Sequence, residues 1–248
     1  MRAEDFIALL GEKTGEETQL QAIRNKVPLG IDALGQVVYS QTREHLYTAN
    51  CTCVTGARRT TFIRKLLLTL SCLYEKSEAN FLLVSPRAEY GELLKLQNAD
   101  MTVPFVRTVE DLQASVACLK ELLALYRQGM GYPKLILVLD GLEEIENCNV
   151  RGDFEEYREI LEMLARENNV DVIIGADLMK SIFSGDPGVF VGVGNCLVTT
   201  REEGRADVTY VGNDCSLSLP TAMEYPQSPS VTETVIFLNS LAAKQANE

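Results

Sequence analysis

The residues best suited to chemistry lie in a short polar turn, in the order Gly56, Ala57, Arg58, Arg59, Thr60 and Thr61. The turn follows the strand-like segment "NCTCVTG" and precedes "TTFIRKLLLTL", in which apolar residues recur at helical spacing. A glycine turn between a strand and a helix presents backbone N–H groups and the positive end of the helix to an anion. This stretch therefore predicts a phosphate-binding loop.

The loop departs from the working pattern GxxxxGK(S/T), in which the lysine contacts phosphates and the hydroxyl contacts magnesium. Aligned on the helix, Arg59 takes the lysine position and Thr60 takes the hydroxyl position, but the loop is then too short and Arg58 replaces the second glycine. Arginine keeps the positive charge but is a bulky planar group. We expect at most weak, electrostatic binding of ATP or magnesium, through Thr60, Thr61 and the helix N-terminus.

A carboxylate that could complete such a site ends the apolar segment "LILVLD". Asp140 has the placement of the aspartate that holds magnesium beside a phosphate loop. Gly141 follows it, and we interpret the next two acidic residues, Glu143 and Glu144, as the solvated start of a helix. Asp140 is thus the only Walker B-like residue, and no catalytic residue is assigned.

Two roles remain open for Arg58 and Arg59. They could capture an anion at the loop. They could instead form an internal ion pair with Asp140 or Glu143, which would fill the site and stabilise the domain.

The elements that must position these residues alternate between strand and helix. This alternation predicts an α/β fold with a mainly parallel sheet and right-handed crossovers. We expect helices on both faces, with the strand ending near Val54 beside the strand ending at Asp140. The predicted helices include the segment after Thr108, which can be capped by Thr108 and Asp111 and closed by Gly129. The predicted strands are "NFLLVSP", "VPFVR", "KLILVLDG", "VDVIIGAD" and "NCLVTT", with hairpins at "VPLGIDALGQVVYSQ" and at "ADVTYVG" with "CSLSL".

Composition limits the classes of function. The chain has 248 residues and a formal net charge of −12, which disfavours nucleic-acid binding because that affinity comes from lysine and arginine. One histidine and seven scattered cysteines leave too few ligands for a zinc site. No run of about 18 apolar residues predicts membrane insertion. The acidic, mixed start is unlike a signal peptide and favours a cytoplasmic chain.

The motifs together resemble the FtsK/SpoIIIE family of P-loop motors, and most closely the C-terminal ATPase-like domain of EssC/EccC coupling proteins of type VII secretion. The resemblance covers most of the chain. It includes the entry hairpin "VPLGIDALGQVVYSQ", the loop and helix "CVTGARRTTFIRKLLLTL", the acidic strand "LILVLDGLEEI" and the final hairpin "GRADVTYVGN". It implies a three-layer P-loop NTPase fold of the RecA/FtsK type over residues 26–248, as one domain with a C-terminal tail. Residues 1–25 are polar with one short amphipathic piece, "DFIALL", and are predicted as an N-terminal helix and connector.

Three departures from the family pattern fall in separate places. The loop lysine is absent, the glutamate that commonly follows the aspartate is Gly141, and the polar sensor pair is replaced by Ala176 and Asp177. The combination predicts a degenerate site without hydrolysis. The resemblance then implies a substrate-recognition or regulatory module of a secretion ATPase, associated with the membrane through the rest of a larger chain or complex. Its partners would be neighbouring ATPase-like domains and exported helical-hairpin proteins of the WXG type.

Two alternatives remain. The first is an active motor in which Arg59 replaces lysine and which translocates DNA or protein. The second is a separate interaction protein that keeps only the scaffold.

An apolar cluster follows the segment "VDVIIGAD". It consists of Leu178, Met179, Ile182 and Phe183. Burial in the core is the ordinary fate of such side chains. We nevertheless predict this cluster as the groove for an amphipathic helix of an exported partner.

Overall fold

The structure is a computed structural model. It describes residues 28–32, 37–39, 51–56, 59–84, 88–100, 106–129, 131–147, 151–176, 195–202, 205–212 and 221–224, together with residues 232 and 236. The predicted N-terminal helix and connector, 1–25, lie outside these residues.

Ten strands of the described part form one sheet. They are β1 Pro28–Asp32, β2 Val37–Tyr39, β3 Cys51–Gly56, β4 Ala79–Val84, β5 Ala99–Asp100, β6 Lys134–Asp140, β7 Val170–Gly175, β8 Asn195–Glu202, β9 Arg205–Gly212 and β10 Thr221–Glu224. Their order across the sheet is β2-β1-β10-β9-β8-β3-β7-β6-β4-β5.

The sheet has a parallel half and an antiparallel half. All neighbours from β8 to β5 run parallel, whereas β8, β9, β10, β1 and β2 pair antiparallel in that order. The entry hairpin predicted from the sequence is β1 and β2, and it continues the main sheet. The segment "CSLSL" lies outside the described residues, and β9 pairs with β8 on one side and with β10 on the other.

The short strand predicted at "VPFVR" is not found where the structure describes it. Val106 and Arg107 have no regular structure, and residues 103–105 lie outside the described part. The edge strand next to β4 is the two-residue β5.

The prediction that the strand ending near Val54 lies directly beside the strand ending at Asp140 is wrong. β7 lies between β3 and β6, with Gly175 paired to Val54 on one side and to Asp140 on the other. All three strands are buried apolar segments of similar length, so their local patterns contain no information about which of them is central. Asp140 must therefore reach across the end of β7 to meet the predicted phosphate loop.

The helices of the described part are α1 Arg59–Leu73, α2 Val109–Arg127, α3 Leu142–Asn147 and α4 Arg151–Arg166, with a 3₁₀ helix at Ala88–Lys95. Helix α2 begins with the predicted capping box, because Thr108 accepts a hydrogen bond from the Asp111 N–H and the Asp111 carboxylate accepts one from the Thr108 N–H. Gly129 follows its end with φ 65°. None of these helices is long and apolar enough to cross a membrane.

Helices cover both faces of the parallel half. Leu135, Leu137 and Leu139 of β6 pack in the cluster formed with α2 and α4. Ile136 and Val138, which alternate with them, pack with α1 and the 3₁₀ helix on the other face. This confirms the predicted α/β architecture of three layers.

Gly175, at the end of β7, has no side chain and so leaves room for β6 and α1 to make contact. A Cβ atom at this position would lie 2.2 Å from Asp140 Oδ1 and 2.9 Å from Ile63 Cδ1. Both distances are shorter than side-chain carbons tolerate, and Asp140 is held by other groups described below.

We predict that Gly175→Ala lowers the free energy of unfolding by about 2 kcal/mol or more, because the new methyl group overpacks a buried site. Urea denaturation measures the change. Gly91→Ala is the matched control, since a Cβ at Gly91 meets nothing within 4 Å. A Gly175→Ala variant as stable as the control would contradict this close packing.

Candidate functional site

The candidate site lies at the carboxyl edge of the parallel strands, where ligands of α/β proteins usually bind. Asp140 is the last residue of β6, and its side chain has no exposed surface. Arg59 is the first residue of α1, and its side chain is 9% exposed. The structure brings these two residues together, as the internal ion-pair alternative requires.

Asp140 accepts side-chain hydrogen bonds from three residues. Arg59 Nε donates to Oδ1 at 2.9 Å, while the Thr60 hydroxyl donates to Oδ2 at 2.5 Å and the Tyr90 hydroxyl donates to Oδ2 at 2.9 Å. Each donor comes from a different position around the carboxylate: two from the start of α1 and one from the 3₁₀ helix. A buried charge is tolerated when it is paired and hydrogen-bonded in this way.

Arg59 binds a second carboxylate through its outer nitrogen. Its NH2 group donates to Oε1 of Glu143 in a close ion pair. Burial alone lowers the pKa of Arg59, but hydrogen bonds to Glu143 and Asp140 and the charges of both carboxylates outweigh it and raise the pKa above its ordinary value. The guanidinium is therefore a permanent cation between two anions.

Two glycines with positive φ shape the backbone around this cluster. Gly56, with φ 98°, ends β3 before the predicted loop. Gly141, with φ 92°, turns the chain from β6 into α3, and its N–H donates to the Gly175 carbonyl at 2.8 Å. This turn places Glu143 in the first turn of α3, within reach of Arg59. Glycine adopts such φ values without the penalty of a side chain.

The first turn of α1 contains no acidic residue of its own. Asp140 and Glu143 supply negative charge at the beginning of this helix from β6 and α3. Negative charge is stabilising there because the helix N-terminus carries partial positive charge. The two carboxylates thus occupy the electrostatic position that an anionic ligand of the loop would take.

The predicted loop residues have different outcomes. Arg59 and Thr60 contact Asp140, whereas Gly56 and Thr61 are exposed. Ala57 and Arg58 lie outside the described residues. The four residues of the predicted partner groove, Leu178, Met179, Ile182 and Phe183, also lie outside them and stay a prediction.

At the former sensor position, the structure describes Ala176 and not Asp177. Ala176 is buried, and its N–H donates to the Val54 carbonyl at 3.1 Å. A methyl side chain cannot hydrogen-bond a phosphate or a water.

The interpretation of Glu143 as part of a solvated helix start is wrong. Its side chain is 18% exposed and pairs with Arg59. The sequence also gave no indication of Tyr90 or Gly175, because their importance comes from contacts between segments distant in the chain. The sequence did indicate a role for Glu143 in one respect, because Glu143 and Asp140 were the two acidic residues considered as ion-pair partners of the arginines.

The residues that the structure describes at this site do not fit a magnesium–nucleotide site. In P-loop NTPases the loop hydroxyl and this aspartate hold the metal. Here the Thr60 hydroxyl donates a hydrogen bond to Asp140 Oδ2, and the Arg59 guanidinium donates one to Oδ1. A divalent cation would have to approach a buried, permanent positive charge. We therefore derive no hydrolytic step for this site.

We predict that Arg59→Met lowers the free energy of unfolding by about 3–5 kcal/mol, because it leaves a buried carboxylate without its cation. Arg64→Met is the matched control, since Arg64 forms an exposed ion pair with Glu92 and its loss should cost less than about 1 kcal/mol. Denaturant unfolding measures both.

A double-mutant cycle checks the cause. Arg59→Met combined with Asp140→Asn should be less destabilising than the sum of the single changes. Additive effects would show that the pair is not an energetic unit.

Comparisons with known proteins give matches in structure only. No family model matches the chain, and no curated protein sequence matches it. Among solved structures, EssC (ATPases 2 and 3) from Geobacillus thermodenitrificans superposes with a TM-score of 0.63 at 13% identity, over 88% of this chain and 49% of that one.

Two structures from Thermomonospora curvata are also similar. The cytoplasmic domain of its type VII secretion ATPase EccC has a TM-score of 0.64 at 15% identity, over 87% of this chain and 31% of that one. EccC (ATPases 2 and 3) in complex with a signal sequence peptide has a TM-score of 0.56 at 12% identity, over 83% of this chain and 41% of that one.

This chain therefore spans less than half the length of each of these structures. At such low identity the likeness concerns the fold. The three-layer architecture of this chain agrees with that likeness. The fold of this chain is that of the P-loop ATPase domains in the EssC and EccC proteins.

Proposed function

We propose that this chain is a nucleotide-independent substrate-recognition or regulatory module of a type VII secretion ATPase. The observation that carries the proposal is the ion pairing of Arg59, the first residue of α1, with Asp140 and Glu143, next to the predicted phosphate loop. The loop of an active enzyme keeps its cation available to phosphate, whereas this cation is already neutralised.

The energetics support a closed site. A phosphate that used Arg59 would have to separate it from two carboxylates, one of which is fully buried. Leaving a buried charge without its partner costs about 3–5 kcal/mol. Binding would have to supply this energy before any net affinity appeared.

The missing chemistry agrees with this proposal. Gly141 follows Asp140, so no carboxylate stands directly beside it to activate water, and Glu143 is committed to Arg59. An ATPase domain of the FtsK/SpoIIIE type with these features would act by binding. In a coupling protein it would be a degenerate domain beside other ATPase-like domains.

The setting is inferred from the structural neighbours. Two of them comprise ATPases 2 and 3, the third is a cytoplasmic domain, and one was solved with a signal sequence peptide. We infer by analogy that this module works in the cytoplasm, next to further ATPase-like domains, and reaches the membrane through the rest of a larger chain or complex.

The proposed ligand is the signal segment of an exported helical-hairpin protein of the WXG type. An amphipathic helix would place its apolar residues in a groove that includes Leu178, Met179, Ile182 and Phe183. DNA is a poor candidate ligand because the chain carries a net charge of −12.

We predict that the purified chain does not hydrolyse ATP above background, with or without magnesium. Phosphate release measures turnover. Steady turnover that disappears in Arg59→Ala and in Asp140→Asn would overturn the proposal and favour the active motor.

We predict that C-terminal peptides of helical-hairpin exports bind the wild type and bind Ile182→Glu or Phe183→Glu at least about tenfold more weakly, because a charge in an apolar groove is desolvated. Leu125→Glu is the matched control, since Leu125 is 38% exposed on α2. Fluorescence anisotropy gives the affinities, and circular dichroism checks folding.

Addition of ATP or of EDTA should leave the affinity of the wild type unchanged. Absence of binding to the wild type, or equal binding by folded groove variants, would remove this groove from consideration. Binding that requires ATP would contradict the nucleotide-independent role.

A further inference from the structure

The two carboxylates bound to Arg59 are not equivalent. The side chain of Asp140 is completely buried, and Thr60 and Tyr90 also donate hydrogen bonds to it. The side chain of Glu143, which pairs with the NH2 group of Arg59, is 18% exposed. The inner half of the cluster is therefore fixed in the core, whereas the outer half borders water.

The backbone also separates the two carboxylates. Asp140 belongs to β6, which is paired with β7 up to Asp140 itself. Glu143 belongs to α3, beyond the turn at Gly141. A rotation of the Glu143 side chain would leave the register of the sheet unchanged, whereas Asp140 could move only by breaking its three hydrogen bonds.

The chemistry of the contact suggests what Glu143 replaces. A guanidinium binds carboxylate and phosphate oxygens with the same donors and similar geometry. The contact is made by the first residue of α1, at the end of the helix that attracts anions. Glu143 therefore neutralises Arg59 as an anionic ligand of the loop would.

We propose that Glu143 is an autoinhibitory ligand of the phosphate loop: its carboxylate holds the outer nitrogen of Arg59 and excludes polyphosphate anions. The inference rests on the proposed nucleotide-independent function and gives it a cause. Affinity for phosphate is masked by one side chain, while Arg59 remains anchored on Asp140.

The test is a titration of the full chain with inorganic pyrophosphate in the presence of EDTA, with binding measured by isothermal titration calorimetry. Glu143→Gln removes the competing charge but keeps an oxygen that can accept a hydrogen bond. We expect it to bind pyrophosphate roughly tenfold or more tightly than the wild type does, since juxtaposed like charges oppose binding.

Glu144→Gln is the matched control, because it removes the same charge one residue further along α3 and should bind like the wild type. The double variant Glu143→Gln with Arg59→Gln should lose the gain. Wild-type affinity in Glu143→Gln, or a gain retained in the double variant, would overturn the inference. An equal gain in Glu144→Gln would also overturn it, because the effect would then be one of net charge.

If Glu143→Gln does not fold, Glu143→Asp replaces it in the same titration. Its shorter side chain retains the charge but cannot maintain the same contact, so an intermediate gain is expected and wild-type affinity would contradict the inference. Peptide binding by the same variants separates the two proposals. Peptide capture that depends on nucleotide defeats the proposed function, whereas an unchanged pyrophosphate affinity defeats only the role of Glu143.

Discussion

Asp140 is a charged side chain with no exposed surface, and a protein tolerates such a group only when cations and hydrogen-bond donors surround it. The donors come from α1 and the 3₁₀ helix, which are distant from β6 in the chain, and β7 lies between β6 and β3, the strand that leads into α1. Gly175 makes the meeting possible because it has no side chain at the point of crossing. The position of α1, the residue at the end of β7 and the turn at Gly141 all follow from the requirement to satisfy this one carboxylate.

Under the proposed nucleotide-independent function, the same requirement accounts for a scaffold that stays folded without a ligand. In an active enzyme of this fold, bound magnesium supplies positive charge and the nucleotide phosphates supply negative charge at the edge of the sheet. Here Arg59 supplies the positive charge, and Asp140 and Glu143 supply the negative charge. Because Arg59 is neutralised by carboxylates of the chain itself, its positive charge is satisfied without a bound nucleotide.

Local patterns predicted the elements well. Short apolar segments indicated β3, β4, β6, β7 and β8, and Thr108 with Asp111 marked the start of α2 correctly, because strands and caps depend on residues close together in the chain. Strand order could not be obtained in this way. The insertion of β7 between β3 and β6 depends on packing between segments whose patterns are nearly the same.

The candidate site was predictable only in part. The types of Arg59, Thr60 and Asp140 indicated a degenerate phosphate loop, but they left anion capture and an internal ion pair equally open. Which of these two roles Arg59 takes depends on where α3 lies. The positive φ of Gly141 turns the chain so that Glu143 pairs with Arg59 and is not solvated as expected. Tyr90 contributes a hydroxyl from a segment whose sequence gives no sign of a role in the site.

In this account Arg59, paired with Asp140 and Glu143, fills the predicted phosphate loop in place of a ligand. The effect of Mg·ATP on the free energy of unfolding tests this claim most directly. A ligand present at 100 times its dissociation constant raises the free energy of unfolding by about 2.7 kcal/mol. We predict that millimolar Mg·ATP leaves the unfolding free energy of the wild type unchanged relative to a control of equal ionic strength. A concentration-dependent increase that is lost in Arg59→Met would contradict the account.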